Sequence, residues 1–90
     1  MEVIEVLRRQ RVRQGDLKPA LDCIIAQAVA LKRLSVSEVV SQVANEMASR
    51  AHELRRSHAF LPKFVVEDLL EESIAQLERT LPPRSGPSHP

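Results

Sequence analysis

Three histidines, one cysteine and a run of carboxylates are the residues of this 90-residue chain that could do chemistry. A helical zinc site asks for two ligands one turn apart and a third nearby. His52 and His58 are separated by the end of a helical pattern, His89 lies in a polar tail, and Cys23 is a single distant thiol. Ligand number and spacing both fail, so no metal is expected. A thiol nucleophile needs a base held beside it, and no Cys/His pairing is readable. Cys23 sits next to Ile24 in an apolar run and reads as a small buried apolar residue. Gly15 and Gly86 are the only glycines, so no loop can cradle a phosphate, and no cofactor is expected. Glu67, Asp68, Glu71, Glu72 and Glu78 read as a charged helix face rather than an acid/base pair. With few cations between them, their repulsion calls for water or a basic partner. Enzyme is therefore the least supported class.

The cations cluster as well. Arg8, Arg9, Arg11 and Arg13 stand against Glu2 and Glu5 at the N-terminal end. They span almost two turns, so on a helix they surround it rather than line one edge. Such an arm could contact phosphates, but no aromatic platform for stacking bases accompanies it. A formal net charge of +1 adds no bulk attraction to nucleic acid or anionic membrane. The preferred reading is that these arginines answer the acidic C-terminal helix, within one chain or between two copies. Residues 31–44, LKRLSVSEVVSQVA, have the outline of a helix-turn-helix: helix, tight turn, serine cap, second helix. The turn lacks the usual glycine, and Glu38, Glu46 and Glu53 on the exposed face would repel phosphates. A small DNA- or RNA-binding regulator using this hairpin and the arginine arm stands second to a protein-binding role.

These residues are positioned by helical patterns. From Ser35 to Arg56, apolar residues at Val36, Val40, Val43, Met47, Ala51 and Leu54 step by three or four, one face of a helix. Ser35 and Glu38 have capping-box spacing, and Leu34 and Val39 are placed for a hydrophobic staple. Glu46 with Arg50, and Glu53 with Arg56, are expected surface pairs. Upstream, Asp16 reads as an N-cap after a Gly15 stop, and Pro19 fits a first turn. Leu17 to Leu34 is apolar around most of its girth, so it should be the most interior element. Downstream, Pro62 biases Leu61 away from helix. Val65, Val66, Leu69, Leu70, Ile74, Leu77 and Leu81 then make one face, ended by Pro82 and Pro83.

The expected fold is all-α: a small antiparallel bundle of three principal helices, about 17–33, 36–57 and 64–81, with a short N-terminal helix over about 2–13. Helices two and three should pair as a hairpin, with the last helix across them. Residues 1–81 form one domain in this reading, and 82–90 a disordered Pro/Ser-rich tail. One cysteine excludes an internal disulfide, and no apolar run approaches spanning length. The expected setting is intracellular, cytoplasmic or nuclear, with no membrane.

So short a chain carries more apolar stripe than a monomer easily hides. The expected function is thus a non-enzymatic interaction module, an adaptor or small subunit that binds protein partners, a homodimer included. Its expected interface is Phe60, Leu61 and Phe64 with Val40, Val43, Met47 and Leu54. Arg8, Arg9, Arg11 and Arg13 would meet an acidic partner or nucleic acid. The segment from Ala59 to Phe64 holds both aromatics of the chain. Two readings of it stay open: a loop whose phenylalanines close the end of the bundle, or an anchor that enters a partner's pocket.

Overall fold

Leu17, Leu21, Ile24, Ala28 and Leu31 recur every three or four positions, and all are buried. This stripe is the buried face of the second helix. The structure, a computed structural model, describes residues 2–34 and 37–80. Four α-helices follow in order, α1 (Glu2–Arg9), α2 (Lys18–Leu34), α3 (Glu38–Arg55) and α4 (Lys63–Thr80), with a 3-10 turn at His58–Phe60 before the last. Among the described residues there is no strand, only an isolated bridge between Arg13 and Asp16. The expected tail over 82–90 lies outside the described residues.

The α2–α3 hairpin is the most extensive contact in the fold. An ion pair proves the reversal: Arg55 Nε at the end of α3 lies 2.7 Å from Asp22 Oδ1 in the first turns of α2. That contact lacks the alignment of a hydrogen bond. Ala20 and Ala28 on α2, and Ala44 and Ala51 on α3, are all buried. Side chains this small let two backbones approach closely. α4 runs back along α3, tied by the Arg50–Glu72 ion pair, and touches α2 only slightly. α1 fills the space left between α2 and α4 and buries Val3, Ile4 and Leu7. The long axis is 49 Å, whereas an 18-residue helix spans about 27 Å, so the elements are staggered rather than level.

Several expected boundaries shift, each for a local reason. α1 stops at Arg9 rather than 13, closed by the Gln10 amide donating to Leu7 O at 3.2 Å. The residues after it are needed to reverse the chain. Gly15 adopts φ +87, and the Asp16 amide donates to Arg13 O at 3.0 Å, a four-residue turn that favours glycine at its third position. Asp16 belongs to that turn and is not the cap. α2 begins two residues later, where the Leu21 amide donates to Leu17 O at 3.1 Å. The cap of α3 is Ser37, whose side chain accepts from the Val40 amide at 3.4 Å. The expected cap Ser35 and the first expected residue Val36 lie outside the described residues. Glu38 thus becomes the first helical residue, where its charge suits the helix dipole. The staple does not form, since Leu34 is 72 % and Val39 57 % exposed. Arg50 leaves Glu46 for Glu72 because α4 passes beside it.

Leu21→Ala should lower the unfolding free energy by roughly 2–5 kcal/mol in urea titrations, as a fully enclosed leucine. Gly15→Ala should cost about 1 kcal/mol through backbone strain alone, since no atom lies within 4 Å of a Cβ placed there.

Candidate functional site

The surface that departs most from a closed bundle is the turn between α3 and α4. The Arg56 amide donates to the carbonyls of Glu53 and Leu54, and the Ser57 amide to Leu54 O at 3.1 Å, so α3 ends tightly. The Phe60 amide then donates to Ser57 O at 2.9 Å and the Leu61 amide to His58 O at 3.4 Å. Pro62 has no amide to donate. Gln14, far away in sequence, holds the next residues: its Nε2 donates to Leu61 O at 3.3 Å and its Oε1 accepts the Lys63 amide at 2.8 Å. It thereby acts as the cap of α4, satisfying an otherwise orphan donor.

The turn so held turns its aromatics outward. Phe60 is 88 % and Phe64 59 % exposed, while Leu61 is half-buried against the core. The phenylalanines therefore do not close the end of the bundle. The rest of the expected interface divides. Val40 and Met47 are buried among the helices, and Val43 and Leu54 are half-buried against them. Those four residues belong to the core or pack against it; Phe60 and Phe64 are the members most open to solvent.

Beside the turn lies a groove of about 620 Å³ between residues 10–13 and α4. Leu7, Val12, Leu70 and Ile74 line its floor, Arg8, Arg11 and Arg13 one wall, and Glu67 and Glu71 the other. Only Arg8 and Arg9 of the four arginines are helical. Arg8 pairs with Glu78 on α4 and Arg9 with Glu5 at 3.5 Å. Arg11 and Arg13 have no ion pair among the described residues. The basic segment thus does answer the acidic helix within one chain, through Arg8 and Glu78. For nucleic acid the arrangement is poor, because phosphates approaching Arg11 and Arg13 would also face Glu67 and Glu71.

Gln14 and the groove were invisible to residue patterning. A lone glutamine in a polar stretch carries no periodic signal, and the groove exists only because α1 ends early and its continuation runs along α4.

Elsewhere the chemistry-bearing residues stand apart. Among the described residues, no group of three His, Cys, Asp or Glu side chains could hold a metal. Nor is any described helix long and apolar enough to cross a membrane. Cys23 is half-buried on α2, and desolvation by burial raises its thiol pKa above the ordinary value. No family model, curated protein or solved structure matches the chain significantly.

A raised thiol pKa leaves less thiolate at neutral pH, and thiolate is the reactive species. Iodoacetamide should therefore alkylate Cys23 in the folded chain more slowly than in the urea-unfolded chain at pH 8. The gap should narrow as pH rises through the folded-state pKa. Equal rates at pH 8 would contradict the burial.

Proposed function

We propose that this chain is a non-enzymatic helical interaction module, an adaptor or small subunit that acts inside the cell by docking onto protein. One observation carries the reading. Among the described residues seventeen apolar side chains are buried, yet the two largest apolar groups, Phe60 on the turn and Phe64 in the first turn of α4, are exposed. Phenyl rings are strong core formers and are enriched at the centres of protein interfaces. Burying one is worth about 1.5–3 kcal/mol, a gain the isolated chain forgoes twice at the same place. Isolated exposed apolar residues are ordinary, but here both aromatics of the sequence lie four positions apart, on either side of the turn-to-α4 junction that Gln14 braces. Bracing matters because an anchor already held in place loses less freedom on docking. Half-buried Leu61 lies between them, and Lys63 and His58 flank the pair with polar groups, the composition of an interface rim around an apolar centre.

The test uses the full chain in cells, with a photo-crosslinking phenylalanine analogue at position 60 and, as control, at Gln42 on the exposed side of α3. A discrete adduct from position 60, absent from the control and lost with Phe64→Ala, is the expected result. Equal labelling from both positions would contradict the reading. Phe60→Ala should change folding stability by no more than about 0.5 kcal/mol, as an exposed site.

A further inference from the structure

We infer that the groove between residues 10–13 and α4 is a seam for a second copy of this chain. This rests on the docking reading above and names its partner. Three features of the groove select that occupant. Its floor is apolar, supplied by Leu7, Val12, Leu70 and Ile74. Its walls carry opposite signs, Arg11 and Arg13 facing Glu67 and Glu71. Its acidic wall continues into an exposed ring: Phe64, Glu67, Glu71 and Ile74 lie at i, i+3, i+7 and i+10 of α4, one side of the helix, and Phe64 is 59 % exposed at the open end.

Walls of opposite sign make the groove complementary to itself. A two-fold axis running along it, between two grooves face to face, places the arginine wall of each copy over the glutamate wall of the other. The four charged walls then alternate in sign around the axis, and each groove floor is shielded from water. Like charges directly opposed would be destabilising, so other two-fold placements are disfavoured. The same axis keeps both copies of Phe64 at one end, where the exposed rings pack together beside Phe60. Isologous contacts of this kind are the commonest route to soluble oligomers. A partner helix of single charge would satisfy one wall and be repelled by the other. Arg11, Arg13 and Glu71 are available for the exchange, having no ion pair within the described chain. Glu67 has only a loose 3.8 Å contact with Lys63, exposed to solvent.

Sedimentation analysis of the full chain across a dilution series tests the seam. The wild-type chain is expected to dimerise, and Phe64→Ala to raise the dimer dissociation constant at least about tenfold. Two charge-reversed variants carry the decisive arm: Arg11→Glu with Arg13→Glu, and Glu67→Arg with Glu71→Arg. The first has two acidic walls and the second two basic ones. Each should be monomeric alone, and the mixture should form a one-to-one heterodimer. Helicity by circular dichroism checks that both fold. Should either fail to fold, the salt dependence of the wild-type dimer serves instead: it should weaken between low salt and about 0.5 M, as paired walls are screened. A dimer unchanged by both reversals, or indifferent to salt, overturns the seam. A wild-type chain that stays monomeric throughout also overturns it, while leaving the crosslinking test at Phe60 to judge the docking reading separately.

Discussion

The most extensive helix pairing in this molecule is the α2–α3 hairpin, and the rest of the fold is arranged around it. Ala20 and Ala28 on α2, and Ala44 and Ala51 on α3, are buried, together with the larger Leu21, Ile24, Leu31, Val40 and Met47 of the same two helices. Interiors pack at crystal-like density, and this one is filled without an aromatic ring among the described residues. Both phenylalanines of the chain lie outside that core, Phe60 in the 3-10 turn and Phe64 in the first turn of α4. Their rings are left open to solvent.

The connection between α1 and α2 does a second job. By leaving the helix at Arg9, the chain carries Arg11 and Arg13 along α4 and delivers Gln14 to the turn before it. One non-helical segment therefore builds a wall of the groove and braces the aromatic turn. The visible surface ion pairs are worth little individually. Their role is positional: Arg8 with Glu78, Arg50 with Glu72 and Arg55 with Asp22 each tie a different pair of helices.

Much of this was legible in the amino-acid order, and the limits have physical causes. The helical class and the start of α4 to within a residue came from apolar spacing, whereas α2 is buried along one stripe rather than around most of its girth, with Val29 45 % exposed. That signal is strong because every core position in a helix repeats it. Caps were harder: Ser35 and Ser37 lie two apart and compete for one role, and only the backbone decides between them. The stop of α1 was missed because Val12 continues an apolar pattern that the chain satisfies without helix, half-buried against the core. Which residues of the expected interface reach solvent was only half legible. Periodicity identified Val40 and Met47 as one face, but an apolar face cannot announce whether it is covered by its own chain or by another. Both phenylalanines, falling outside any stripe, were legible as special by their position alone.

With only two phenylalanines in the sequence, uniform substitution by 4-fluorophenylalanine gives a fluorine spectrum of two lines, one per ring. The account predicts that in the dilute chain both lines show the solvent-isotope shift between H2O and D2O of exposed rings, the Phe60 line the larger. A shift close to zero on both lines would mean that the rings are buried within the single chain. Nothing would then project from the turn, and the claim that this molecule acts through an open aromatic surface would fail.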